Sequence, residues 1–197
     1  ISESGGSYSL TKTGSQSLQI TGNTSYTGAT TISAGNLQLG NGGTTGSLPN
    51  TSSFSINGTL IINRSNAFTQ AADLNGHALT GSASFAQAGT GTTTLSLMNT
   101  YTGATAATAG TLSINTIADY GNDSAIGRGT AGTPIILGGG NNGATTGTLV
   151  YTGGAQSSNR TIQVGSINQN NTGGARIINN GTGALTFTAA TFTPTYT

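Results

Sequence analysis

Along this chain apolar residues fall in pairs two positions apart, with Thr, Ser or Gln beside them. The pairs are Leu18/Ile20, Leu37/Leu39, Phe54/Ile56, Leu60/Ile62, Leu95/Leu97, Leu112/Ile114, Ile135/Leu137, Leu149/Tyr151, Ile162/Val164 and Leu185/Phe187. A period of two places both members of a pair on one face of a strand. Turn-forming clusters separate them: Gly40-Asn41-Gly42-Gly43, Asn57-Gly58, the run Gly138 to Gly143, and Asn180-Gly181. Helical spacing is present only weakly, from Ala67 to Leu74, and Thr69 and Asp73 argue against it. The pattern predicts many short strands and no substantial helix.

Composition narrows the function. The 197 residues include 33 Gly and no Cys, and only 5% are charged, against about 25% in an ordinary soluble domain. Disorder at such a glycine content normally comes with high net charge and few β-branched residues. Here net charge is +1 and Thr and Ile are frequent, so a folded chain is expected. Without cysteine there is no disulfide scaffold or cysteine-zinc site. Five Lys and Arg residues are too few for a phosphate-neutralising surface, so no nucleic acid is expected as a partner. The longest apolar runs resemble Leu60-Ile61-Ile62, so no helical stretch inserts in a membrane. Ile1-Ser2-Glu3-Ser4 lacks signal features, and a secretion signal is expected to have been removed or to lie outside this chain.

An internal repeat decides the architecture. Tyr26-Thr27-Gly28-Ala29-Thr30-Thr31-Ile32-Ser33-Ala34-Gly35 aligns with Tyr101-Thr102-Gly103-Ala104-Thr105-Ala106-Ala107-Thr108-Ala109-Gly110, identical at seven of ten positions. Forward, Leu37 and Leu39 meet Leu112 and Ile114. Backward, Gly14, Leu18 and Ile20 align with Gly91, Leu95 and Leu97 once a two-residue gap is allowed. Copies thus lie near 10–40 and 85–115, and a third begins at Gly181-Thr182-Gly183-Ala184-Leu185-Thr186-Phe187. A sandwich would need more apolar positions per strand. A parallel β-helix, an all-β solenoid of short strands with Gly/Asn-rich turns, needs only the inward pair of each coil to stack on the next. At ~20–25 residues per coil the chain makes roughly eight or nine coils, about 40 Å long at strand spacing. The expected organisation is one β-helical domain over 1–197, part of a longer chain.

Candidate chemistry is sparse. The acids are Glu3, Asp73, Asp119 and Asp123, and the only imidazole is His77. Asp73, His77 and Ser82 or Ser84 could form a nucleophilic set, yet no nucleophile-elbow motif accompanies them. Asp119 and Asp123, with Arg128 nearby, could serve polysaccharide cleavage, but the surrounding residues read as a loop tip. Calcium needs more converging oxygens than these, so no catalytic, cofactor or metal residue is assigned. Arg64, Arg128, Arg160 and Arg176 are isolated and read as anchors of loop carbonyls, with a sugar or carboxylate contact as the alternative. Tyr8, Tyr26, Tyr101, Tyr120, Tyr151 and Tyr196 could form a glycan-stacking stripe. The equivalence of Tyr26 and Tyr101 points instead to packing at one corner of successive coils.

The residues from Leu10-Thr11-Lys12-Thr13-Gly14 to Leu18-Gln19-Ile20-Thr21-Gly22-Asn23, then Tyr26 to Thr30 and Ile32 to Leu39, resemble the autotransporter-associated β-strand repeat of bacterial passenger domains. Gly147 to Gly154 followed by Asn159-Arg160-Thr161-Ile162 is similar to the segment that often follows it. The second copy departs at Gln87, where Lys is usual, and at Met98, where a Gly-Asn turn is usual. The resemblance implies export to the bacterial cell surface and a β-helical stalk or adhesive surface. Partners are then expected to be host or matrix glycans and proteins, or copies of the chain itself, held by many weak polar contacts. A self-assembling extracellular fibre subunit is the alternative, and a polysaccharide-active β-helix enzyme the second.

Overall fold

The computed structural model describes residues 1–2, 4–139, 144–167, 173–189 and 192–196. Glu3, residues 140–143 of the Gly138–Gly143 run and the side chain of Tyr196 fall outside it. The chain winds through successive coils. The first holds β1 (Leu10–Lys12) and β2 (Ser17–Ile20), the second β3 (Thr30–Ile32) and β4 (Asn36–Leu39). The third holds β5 (Phe54–Ile56), β6 (Thr59–Ile62), β7 (Phe68–Thr69) and the one-turn α1 (Gln70–Asp73). Next come β8 (Ser84–Gln87) with β9 (Thr92–Leu95), then β10 (Thr105–Ala107) with β11 (Gly110–Ile114). The sixth coil is β12 (Ile135–Leu137), β13 (Gly147–Tyr151) and β14 (Gln156–Ser158). The seventh is β15 (Ile162–Ile167), β16 (Ala175–Asn179) and β17 (Leu185–Phe187), and β18 (Phe192–Tyr196) opens the eighth.

All pairings between these strands are parallel and run coil to coil. One face is an eight-stranded sheet, β2-β4-β6-β8-β10-β12-β15-β18, and a second is five-stranded, β7-β9-β11-β13-β16. The third position in the coil is β1-β3-β5 at one end and β14-β17 at the other. On the eight-stranded face the register aligns Leu18, Leu37, Leu60, Phe85, Thr105, Ile135 and Ile162 in one inward column. Ile20, Leu39, Ile62, Gln87, Ala107, Leu137 and Val164 form the other. Most of these side chains are fully buried in a single continuous core, each large aliphatic worth ~1.5–3 kcal/mol of burial. The chain is a parallel β-helix. Column neighbours lie 19 residues apart at Leu18/Leu37 but 30 apart at Thr105/Ile135, so the later coils exceed the expected length. At Thr105/Ile135 the excess sits in the connection between β11 and β12.

The two repeat copies do not stack on the same face. In the first, β1 and β3 lie in the three-stranded sheet and β2 and β4 in the eight-stranded one. In the second, β8 and β10 lie in the eight-stranded sheet and β9 and β11 in the five-stranded one. The third coil adds β7, and Thr80 bridges to Ser55 before β8 begins, so the second copy starts one face further round. Tyr26 and Tyr101 therefore occupy equivalent local turns but different corners of the solenoid.

Strand ends also correct the backward alignment. β2 ends at Ile20 and β9 at Leu95, so Leu18 and Ile20 correspond to Thr93 and Leu95 with no gap, and Leu97 lies beyond the strand. Thr93 is buried like an apolar residue because it has a partner: its Oγ1 donates to Gln87 Oε1. This explains the departure at Gln87. Lys12 Nζ donates to the carbonyls of Thr13 and Gly14 at 2.7 Å and of Ala34 at 3.1 Å. Gln87 Nε2 takes over that task at Gly89 (2.7 Å) and Gly91 (3.3 Å), but an amide, unlike an ammonium, carries an acceptor needing a donor. Replacing Thr93 with Val should cost about 1–3 kcal/mol by stranding Gln87 Oε1. In a denaturant double-mutant cycle that cost should shrink once Gln87 is replaced by Met.

The weak helical signal is realised as α1, and the two residues that argued against it make it. Thr69 is the N-cap, its side chain accepting from Ala72 N at 3.2 Å. Asp73 Oδ2 accepts from Thr69 N at 2.7 Å. These are reciprocal caps of the kind that short polar side chains supply at a helix start.

Candidate functional surface

Outward positions form columns along the rod at strand spacing, ~4.8 Å. Thr11, Thr31 and Ser55 align on the three-stranded face. On the five-stranded face Thr92, Thr111 and Thr148 align and end at Arg176, while Thr94 and Ser113 continue into Val150 and Ile178. The eight-stranded face is apolar at its centre. Its outward column is Gln19, Gln38, Ile61, Ala86, Ala106, Ile136 and Gln163, with four apolar residues in the middle. Period-two reasoning missed this stripe, although Leu60-Ile61-Ile62 and Ile135-Ile136-Leu137 signalled it by breaking the alternation.

The acids are engaged in holding the fold. Asp73 Oδ1 pairs with Arg64 Nη1 at 2.7 Å, while its other oxygen caps α1. Ser82 Oγ donates to Asn57 Oδ1 at 3.2 Å. The backbone of His77 bonds Leu74 O and Gln70 Nε2, and among the described residues no hydrogen bond joins its ring to Asp73 or to Ser82 or Ser84. The nucleophilic set is not assembled. Asp119 Oδ1 accepts from Asn159 N at 2.7 Å, and Asp123 Oδ1 from Arg128 Nε at 2.8 Å. That bond pushes the exposed Arg128 guanidinium above its usual range. Each carboxylate of the pair thus spends its Oδ1 on a bond within the fold.

Two arginines are interior anchors. Arg64 is buried over the Phe68 ring at 5.4 Å and also reaches Asn66 Oδ1 (2.9 Å) and Ala67 O (3.1 Å). Arg160 is 2% exposed. It donates through Nη1 to Ile126 O at 2.9 Å and through Nη2 to Gly127 O at 2.7 Å, and lies 5.7 Å from the Tyr120 ring centre. Burial lowers its pKa, opposed by the Tyr101 and Tyr120 hydroxyls. The connection 115–134 is thereby held against residues 156–161. Ile117 N reaches Gln156 Oε1, Ser158 Oγ reaches Ala118 O and Tyr120 N reaches Asn159 Oδ1, each within 2.9 Å. Arg176 lies exposed on β16.

The tyrosines are not a surface stripe. Tyr26, Tyr101 and Tyr151 are buried. Tyr26 OH bonds Thr30 Oγ1 at 2.6 Å and Tyr101 OH bonds Thr105 Oγ1 at 2.7 Å, one motif repeated. Tyr151 OH donates to Gly154 O at 2.7 Å. Tyr120 is half-buried and Tyr8 exposed. Burial raises the pKa of Tyr26, Tyr101 and Tyr151, with the Thr bonds pulling the first two partly back. Above about pH 10 an unfolded chain therefore sheds phenol protons that the fold keeps, and stability falls as pH rises. Replacing Tyr101 with Phe should cost ~1 kcal/mol near neutrality for the lost bond. It should also flatten the alkaline fall in the urea midpoint.

Residues 10–39 and 85–114 match the passenger-associated transport repeat. Over 200 aligned positions the chain is 40% identical to the adhesin BmaC autotransporter of Brucella suis biovar 1 (strain 1330). The alignment covers 85% of this chain and 6% of that protein, so the chain spans a small part of its relative's length. No solved structure matches significantly. The two windows have equal length and a constant offset at both ends, in agreement with the strand ends. Repeat, relative and stacked parallel coils place the chain among the autotransporter passenger repeats, as an adhesin-related β-helix exported to the bacterial cell surface.

Proposed function

We propose that this stretch acts without catalysis, as a rigid adhesive rod whose contacts are many and individually weak. What carries the reading is the outward lattice: mostly uncharged hydroxyls and amides in coil-to-coil columns, joined by Val150 and Ile178 on the five-stranded face and by the Ile61–Ile136 apolar stripe, about 14 Å long over three strand spacings, on the eight-stranded one. A polysaccharide presents alternating C–H and O–H surface and suits such a lattice, as does another protein's uncharged face. The engagement of Asp73, Asp119 and Asp123 in structural bonds supports a non-enzymatic role, as does the adhesin named among its relatives.

Binding by weak repeated contacts depends on multivalency. Beads carrying many copies should retain a matrix glycan surface at least ~100-fold more strongly than the monomer does. Tight, saturable binding by the monomer would overturn the reading.

A further inference from the structure

The sequence has five Asn-Gly junctions, at Asn41, Asn57, Asn75, Asn142 and Asn180, and Asn142 lies outside the described residues. Such junctions are where a backbone nitrogen attacks a side-chain amide most readily, because glycine leaves the approach unhindered. The attack requires that nitrogen to be free. At three junctions the fold holds it. Gly42 N donates to Asn63 O at 2.8 Å, Gly76 N to Gln70 O at 3.1 Å, and Gly181 N to Asn179 Oδ1 at 3.0 Å. Asn75 is further tied by its Nδ2 to Thr51 O at 3.1 Å.

Asn57, exposed at the corner between β5 and β6, is different. Gly58 N has no acceptor among the described residues, and neither does Asn57 Nδ2 a partner. Its Oδ1, by contrast, accepts from Ser82 Oγ at 3.2 Å and from Ser82 N at 3.4 Å. Those donors stand where negative charge develops when the amide carbon becomes tetrahedral, the placement that stabilises an oxyanion. The nucleophile is unpaired, the oxygen is held, and the leaving nitrogen faces solvent.

We propose that Asn57 is a self-modification site, deamidating through a cyclic imide under the influence of Ser82. Gly58 N gives its proton to solvent base and bonds Asn57 Cγ, the Cγ–Nδ2 bond breaks, and the nitrogen leaves as ammonia with a proton from water. One water then opens the imide at either carbonyl, leaving aspartate or isoaspartate and no change of oxidation state. Either product adds a negative charge to a surface of net charge +1. The isoaspartate product also lengthens the backbone where Thr59 N must meet Gly35 O at 2.9 Å in the coil below, and so loosens the register between β4 and β6.

Peptide mapping after incubation of the folded chain at mildly alkaline pH tests this, with amide-to-acid conversion read at each Asn-Gly junction. Asn57 should convert at least several-fold faster than Asn41, Asn75 and Asn180. In urea the four rates should converge. Replacing Ser82 with Ala, a change at an exposed site, should slow Asn57 several-fold in the fold and leave its rate in urea unchanged. Equal rates at the four junctions in the folded chain would overturn the proposal, and so would a Ser82→Ala rate equal to wild type.

Discussion

Truncating Arg160 to Ala should lower the unfolding free energy by about 2–4 kcal/mol, combining a buried cavity with the loss of two charge-assisted hydrogen bonds to interior carbonyls. Ile126 O keeps only the Thr105 hydroxyl (3.1 Å) and Gly127 O only that of Ser124 (2.9 Å), and Tyr120 loses the cation beneath its ring. The guanidinium is itself under strain of solvation, since its Nε is buried without a partner among the described residues. The loss therefore measures what the side chain holds together, and not the net worth of burying a charge. Lys at this position should recover less than half, because an ammonium cannot present two parallel donors to adjacent carbonyls. Denaturant midpoints give the magnitude. Protease cleavage within 115–134 should rise before global unfolding, since that connection depends on Arg160 and neighbouring residues 156–159.

Replacing Gly110 with Ala should cost about 2–5 kcal/mol, from a left-handed backbone that disfavours a side chain and from overpacking. Gly110 has φ +58, and an added Cβ would lie 2.4 Å from Gly89 O in the preceding coil. Gly35, at the matching place in the first copy, has φ +67 and meets the corresponding Gly14 O at 2.5 Å. The change there should cost a similar amount, because the added Cβ also comes within 2.7 Å of Ser15 O and Gln16 O. Thermal unfolding of the two variants side by side tests both the magnitude and the match.

Much of this architecture can be read directly from residue types. Alternating pairs such as Leu37/Leu39 and Ile135/Leu137 mark inward columns, because a strand buried on one face leaves that trace and little else. Reading by hydrophobicity fails where a polar residue is buried with a partner. Thr93 looks like a surface residue until Gln87 is seen to need its hydroxyl, so hydrophobicity alone matches the pair to Leu95 and Leu97. Arg160 does read as an anchor of loop carbonyls, but which carbonyls it holds is not legible, because they lie 33 and 34 residues away. The one-face turn between repeat copies was equally hidden, because it depends on how many coil positions the intervening residues fill. The apolar outward stripe was legible in principle, since three apolar residues in a row cannot all point inward.

The central claim is that distant segments lie in register along one rod. The natural absence of cysteine makes spin labelling clean: Cys placed at Gln38 and Ile136 in one variant, and at Gln38 and Gln163 in another. These outward positions are four and five strands apart on the eight-stranded face, so narrow backbone separations of about 19 and 24 Å are predicted. The second distance should exceed the first by one strand spacing. Broad distributions, or a Gln38–Gln163 distance no longer than Gln38–Ile136, would contradict the stacked coils and the surface built on them.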